Sequence, residues 1–272
     1  MTDLFTRFVR WLWALFGHPA AVIPMVPIVL STGPVMPCII GVVCHIFDEA
    51  EALILVAMGV KAIRLSWYGD TGFEGAYPGS TEWLGHQLVV AEAHGLAVTI
   101  VTQAPISAAY ITTVGKKART QLGNEPMDPV SYARDFNAAC LQYAGHLDLI
   151  PAGWASSDDL PKGYLLCTSD TLREAIYNGL GATGVICLHV YDPLGLTAAV
   201  QNRLAIVAKA GWTGRVIFTE MGSHLVGALG EALTAAVGVS EVFLYALYSP
   251  ATPDCPDFTL TDAQRQEIAA HA

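Results

Sequence analysis

The chain has 272 residues, of which 53% are hydrophobic and only 14% charged. Soluble domains carry about 25% charged residues, so this chain is short of charge by nearly half, and its mean hydropathy is +0.44. The composition excludes intrinsic disorder, the length excludes a small stapled scaffold, and a net charge of −10 argues against nucleic-acid binding.

From Trp11 to Phe47 there is no Asp, Glu, Lys or Arg. Residues 11–30 have the length of a membrane span. Gly17, Pro19, Pro24 and Pro27 interrupt them, however, and proline breaks a helix. Residues 1–37 therefore read as an apolar, proline-rich arm. Three readings stay open for it: a signal peptide, a short anchor, or a segment that docks on a partner protein or a membrane. Such an arm points to a secreted, cell-surface or virion-associated protein rather than a cytoplasmic one.

Residues 38–272 alternate short β-branched runs with amphipathic stretches, the pattern of parallel βα units. Strands are predicted at 39–45, 60–67, 97–103, 119–124, 147–152, 184–191, 215–219 and 241–247. Helices are predicted at 48–58, capped by Asp48, and at 81–94, 129–145, 169–180, 196–210, 225–237 and 261–270. A reduced helix is predicted within 104–117. Eight βα units in roughly 235 residues approach the ~250 typical of a (β/α)8 barrel. A doubly wound open sheet would carry a Gly-rich first turn, which is absent. The expected fold is α/β, one (β/α)8 TIM barrel over 38–272 behind the N-terminal arm.

A barrel of this kind presents catalytic residues at the C-terminal ends of its strands. Here those ends hold His45, Arg64 with Trp67, Gln103, Asn124 with Glu125, Trp154, His189 with Tyr191, Glu220, and Tyr245 with Tyr248. Glu125 and Glu220 are the main signal. Two carboxylates facing one cavity suit glycoside hydrolysis, one as proton donor and one as nucleophile or base. Their repulsion and an apolar wall would raise one pKa, as an acid working at neutral pH requires.

Strand alternation adds detail. It puts Val216, Phe218 and Glu220 on one face of the seventh strand, and Cys187, His189 and Tyr191 on one face of the sixth. Arg64 alternates with Ala62 and Ser66. A buried arginine needs a carboxylate partner, and Glu220 would supply it. Asn124 and Glu125 differ in parity, so both reach one cavity only if the chain bends there, which Pro126 favours. Trp67, Trp154 and Tyr248 are candidates for stacking on sugar rings, with His45 a further polar candidate. The six cysteines show no metal spacing and read as buried thiols, with a disulfide the open alternative, and no metal or cofactor is expected.

At these residues the sequence resembles the clan A glycoside hydrolases, most closely the cellulase-like family 5. The family's Asn-Glu-Pro after the fourth strand is matched by Asn124-Glu125-Pro126, and its Thr-Glu-x-Gly at the seventh by Thr219-Glu220-Met221-Gly222. The family's strand-two Arg and strand-six His-x-Tyr look like Arg64 and His189-Val190-Tyr191. The resemblance implies a retaining hydrolase of O-glycosidic bonds in an oligo- or polysaccharide. It implies Glu220 as nucleophile and Glu125 as acid/base. It further implies that Arg64 orients Glu220, that Asn124 binds the sugar 2-hydroxyl, and that Tyr191 sits beside the nucleophile. Tyr245 or Tyr248 stands where the family usually carries Trp. Fold does not fix function, so the alternative is a non-hydrolytic glycan-binding or structural barrel subunit of a surface or virion assembly.

Overall fold

A helix returns the chain after nearly every strand, and that connection makes neighbouring strands parallel. A computed structural model describes residues 38–45, 47–67, 80–126, 128–154, 168–191, 195–223, 227–246 and 259–272. The arm assigned to residues 1–37 lies outside the described residues. The strands are β1 (Ile39–Val43), β2 (Ala62–Ser66), β3 (Ala97–Thr102), β4 (Arg119–Leu122), β5 (Asp148–Pro151), β6 (Gly153–Trp154), β7 (Val185–Tyr191), β8 (Arg215–Gly222) and β9 (Glu241–Leu244). The helices are α1 (Glu49–Ala57), α2 (Thr81–Ala93), α3 (Ala108–Val114), α4 (Pro129–Tyr143), α5 (Ser169–Ala175), α6 (Leu196–Ala210), α7 (Ala228–Ala235) and α8 (Asp262–His271).

Local chemistry sets the helix starts. Asp48 accepts from the backbone of Ala50 and Glu51 while Glu51 reaches back, a capping box that opens α1. Ser80, Ser107, Asp128 and Thr168 each accept a backbone N–H to cap α2, α3, α4 and α5, and Thr261 with Gln264 forms a second capping box at α8. Among the described residues no helix is long and apolar enough to cross a membrane.

The sheet runs in the order β5-β4-β3-β2-β1-β9-β8-β7-β6. Its two ends are consecutive in sequence, because only Ala152 separates β5 from β6. β5 pairs with β4, and β6 pairs with β7. One barrel strand is thus split between two neighbours, and the sheet closes through it into a (β/α)8 TIM barrel. The single strand expected at 147–152 changes partners just after Pro151, which has no N–H to offer. The Ala152 N–H donates to the Tyr132 hydroxyl at 2.7 Å, and that hydroxyl donates to the Leu122 carbonyl. A side chain from α4 thus fills the gap in the ladder.

Buried side chains form two clusters. One combines strand residues such as Ile63, Leu65, Ile100, Leu188 and Phe218 with helix residues such as Leu55, Leu84 and Phe136. It is the layer between sheet and helices. The other contains Val43, Ala62, Ile150, Val185, Cys187, Ile217, Phe243 and Ala246, with no helix residue, and it fills the barrel. The N-terminal end of the barrel is plugged by charge. Arg119 and Arg215 lie 2.6 and 2.7 Å from the two oxygens of Glu241. Of the described cysteines, Cys38, Cys44, Cys140 and Cys187 are free, and only Cys44 and Cys187 are buried.

One expectation about strand faces is corrected. Val216 and Phe218 pack in the helix-side layer, so a regular strand would turn Glu220 toward the helices as well. β8 instead extends to Gly222 and carries a bulge. Leu188 is level with Phe218, but the next residue, His189, is level with Glu220. On the other side, Phe218 pairs with Val242 and Met221 with Leu244. Thr219 is the extra residue, and the bulge re-aims Glu220 into the barrel.

Candidate active site

Arg64 organises the C-terminal mouth of the barrel. It projects inward from β2 and is 2% exposed. Its Nη1 donates to Glu220 Oε1 at 2.7 Å, its Nη2 to Asn124 Oδ1 at 2.9 Å and its Nε to Gln121 Oε1 at 2.9 Å. A guanidinium only donates. Both amide oxygens must therefore face Arg64, and the Asn124 amide nitrogen is left to point elsewhere.

Glu220 is 7% exposed. Tyr191 donates its hydroxyl to Oε2, and His189 Nδ1 lies 3.5 Å from the same oxygen. Burial alone pushes the carboxyl pKa up. The charges of His189 and Arg64, with hydrogen bonds from Tyr191 and Arg64, outweigh that and hold it below the ordinary value. The Tyr191 phenol is pushed well above its ordinary value, first by burial and then by the charge of Glu220. It therefore stays protonated and remains a donor.

Glu125 reaches the same place from an irregular turn. β4 stops at Leu122. Gly123 then takes φ +85°, and Glu125 takes φ +45°, the one left-handed non-glycine among the described residues. That backbone costs of order 1–2 kcal/mol. It lets Asn124 and Glu125, which differ in parity, both turn inward. The Glu125 N–H is anchored on the Gly153 carbonyl at 3.0 Å.

His189 stands between the two carboxylates. Its Nδ1 is 2.8 Å from Glu125 Oε1. One ligand atom each from Glu125, His189 and Glu220 all fall within 4.8 Å of one another. These are metal-ligating residue types, which their sequence spacing did not reveal. Arg64, 2.7 Å from Glu220, already supplies the positive charge that a cation would bring. Gly153 permits the close packing here. A Cβ at that position would lie 2.1 Å from His189 Nε2 and 2.4 Å from Thr219 Oγ1.

Arg64, Asn124, Glu125, His189, Tyr191 and Glu220 thus converge. His45 joins the rim, with Nε2 3.1 Å from the Tyr245 hydroxyl. Its pKa is lowered chiefly by burial, with Glu220 opposing and Arg64 adding to the effect. The rings of Tyr245 and Tyr191 also meet in a T-shaped pair, with centroids 5.8 Å apart. Tyr248 lies outside the described residues. Trp67 and Trp154 do not join the site. Alternation from Arg64 and from Gly153 turns both toward the helices, and both belong to the helix-side layer. Trp67 packs on Tyr110 of α3 at 4.9 Å, and Trp154 is 3% exposed. Neither is placed to stack on a sugar. Gln121 was not singled out from sequence. Its inward parity, two residues before the bend at Gly123, was the available signal.

No protein-family model matches the sequence, and no curated protein matches it. Solved structures do match. An endo-1,4-β-D-mannanase of Thermotoga petrophila is 12% identical with a TM-score of 0.56, over 86% of this chain and 99% of its own. A double mutant of the Cellulomonas fimi endo-β-1,4-mannanase is 13% identical with a TM-score of 0.59, over 86% of this chain and 70% of its own. Both share the (β/α)8 barrel fold of this chain. The same barrel also matches a phospho-2-dehydro-3-deoxyheptonate aldolase of Thermotoga maritima, at 18% identity and a TM-score of 0.51, over 86% of this chain and 67% of that one. At such identities the likeness establishes the barrel, and the chemistry must be argued from the side chains.

Proposed function

We propose that the protein is a retaining glycoside hydrolase acting on an oligo- or polysaccharide. The observation that carries this reading is the close approach of the two carboxylates, one oxygen of each falling within 4.8 Å of one of the other, which agrees with the shorter of two spacings. Retaining enzymes hold their pair about 5–5.5 Å apart, whereas inverting enzymes leave about 6.5–9.5 Å for a water. The different surroundings of the two groups support different roles. Glu220 is buried, ionised and aimed by Arg64 and Tyr191, as a nucleophile must be. Glu125 is more open and sits at the rim on His189, where it can meet a leaving-group oxygen.

In the first step Glu220 attacks the anomeric carbon while Glu125 protonates the departing oxygen. As the Glu220–sugar ester forms, negative charge leaves Glu220, and the donors on Oε1 and Oε2 adjust to it. In the second step Glu125 takes a proton from water, which displaces Glu220 and restores the anomeric configuration. The Asn124 amide N–H, facing away from Arg64, is available to a sugar hydroxyl. The mannanases that share the barrel support a polysaccharide substrate.

The test is a hydrolysis screen of the full chain on aryl β-glycosides and on β-linked polysaccharides, with the product anomer read by proton NMR. A 2-fluoro glycoside should add its glycosyl mass to the wild type and not to Glu220→Gln. Hydrolysis with inverted product, or full activity in Glu220→Gln, overturns the mechanism. Glycan binding without turnover supports the non-hydrolytic alternative instead.

A further inference from the structure

We infer that Gln121 is a positioning residue of the carboxylate pair: its amide ties Arg64 to the bend that delivers Asn124 and Glu125. The inference deepens the glycosidase reading and rests on it. Gln121 lies inside the barrel on β4 and is fully buried. Both ends of its amide are engaged. Oε1 accepts from Arg64 Nε at 2.9 Å. Nε2 donates to the Gly123 carbonyl at 3.2 Å and stands 3.5 Å from Asn124 Oδ1.

Arg64 has three edges, and Glu220 and Asn124 occupy two of them. Gln121 holds the third, so the guanidinium cannot rotate without breaking a bond. The same amide grips the carbonyl of Gly123, the residue where the chain leaves β4 with φ +85°. One side chain thus couples the aim of Glu220 to the path that brings Glu125 in.

A neutral amide suits this position better than its alternatives. A carboxylate at 121 would also accept from Arg64. It would, however, place a second negative charge on the one guanidinium that balances Glu220, and it would offer the Gly123 carbonyl no donor. A methionine would fill the space and make neither bond, leaving Arg64 Nε buried and unpaired, which is unfavourable.

The experiment compares the full chain with Gln121→Glu and Gln121→Met. One readout is the pH profile of kcat/KM on an aryl glycoside. The other needs no turnover: the titration of the Glu220 carboxyl by carbon-13 NMR, assigned with Glu220→Gln. In Gln121→Glu the Glu220 midpoint and the acidic limb should move up by about one pH unit or more. In Gln121→Met kcat should fall by about ten- to a hundredfold with little change in KM, and the Glu220 midpoint should rise by less than in Gln121→Glu. A wild type without glycosidase activity removes the proposed function, while the NMR titration still decides the role of Gln121. An unchanged Glu220 midpoint in whichever variants fold overturns the inference. So does a loss of thermal stability with no change in midpoint or kcat, which would make Gln121 a packing residue only.

Discussion

Gly153 lies against the imidazole of His189 so closely that a Cβ there would fall 2.1 Å from Nε2. The same imidazole holds Glu125 on its other nitrogen at 2.8 Å. The absence of one methyl group on β6 therefore helps set the position of Glu125.

Gly153→Ala should consequently displace His189 rather than be absorbed. Overpacking of a rigid interior typically costs about 1–3 kcal/mol, and stability should fall by that order. The activity loss should be larger than the stability loss explains, since Glu125 loses its support. Denaturant unfolding and steady-state kinetics on one preparation check this, and wild-type kcat in Gly153→Ala would refute it.

Arg64→Met should leave Glu220 as a buried carboxylate without its guanidinium. Removing one partner of a buried ion pair costs about 3–5 kcal/mol. Urea unfolding should show a loss of that order, and the Glu220 carboxyl should titrate higher than in the wild type. Arg64→Lys should rescue charge but not activity, because one ammonium cannot replace a fork that meets three acceptors. Wild-type activity in Arg64→Lys would contradict that role.

Acid should expose the pairing of Glu220. Its folded-state pKa is held below the ordinary value, so its stabilisation is fully present above the unfolded pKa of about 4.3. That contribution disappears as pH falls through the folded value. Glu220→Gln lacks it. The stability gap between wild type and Glu220→Gln should be widest near neutrality and should close in acid. Unfolding free energies measured from pH 7 to pH 3 test this, and a constant gap would show that Glu220 is not stabilised as an anion.

Glu125→Ala should discriminate between leaving groups. General acid catalysis contributes about 10²–10⁴-fold. A glycoside with an alcohol leaving group should lose that much, whereas a dinitrophenyl glycoside, which departs without a proton, should lose far less in the first step. Equal losses on both substrates would remove Glu125 from the acid role.

The two tryptophans turned to the helices should matter for stability alone. Trp67→Phe should weaken packing on Tyr110 and leave KM unchanged. Trp154→Phe should cost less, because the Trp154 indole N–H is buried without a hydrogen-bond partner and its removal offsets some lost contact. A raised KM in either variant would put that ring back at the substrate.

Much of this architecture is legible in the sequence because it is local. Caps such as Asp48, Ser80 and Asp128 mark helix starts, and the alternation of Arg64 with Ala62 holds where the strand is regular. The bend at Asn124 and Glu125 was legible too, since their opposite parity demanded one, but its left-handed form was not: a following proline favours extended backbone at Glu125. What was not legible depends on register between strands. The bulge at Thr219 leaves no mark in residue type, and it reverses the faces of β8 beyond Phe218. Trp67 and Trp154 were misjudged for a related reason: an aromatic near a strand end invites a sugar, but alternation from Arg64 and Gly153 sends each to the helices. The division of one strand into β5 and β6 depends on which neighbour each half bonds, information carried by the fold and not by the segment.

That division bears on how the two carboxylates keep their spacing. Glu125 follows β4, on one lip of the seam, while His189 and Glu220 belong to β7 and β8 on the other. Across the seam the ladder is replaced by the covalent link at Ala152, the bridging hydroxyl of Tyr132 and the bond from Glu125 to the Gly153 carbonyl. The gap between them is therefore spanned like a clasp rather than woven into the sheet. A substrate that pressed the lips apart would work against a few identifiable bonds, and not against the whole barrel.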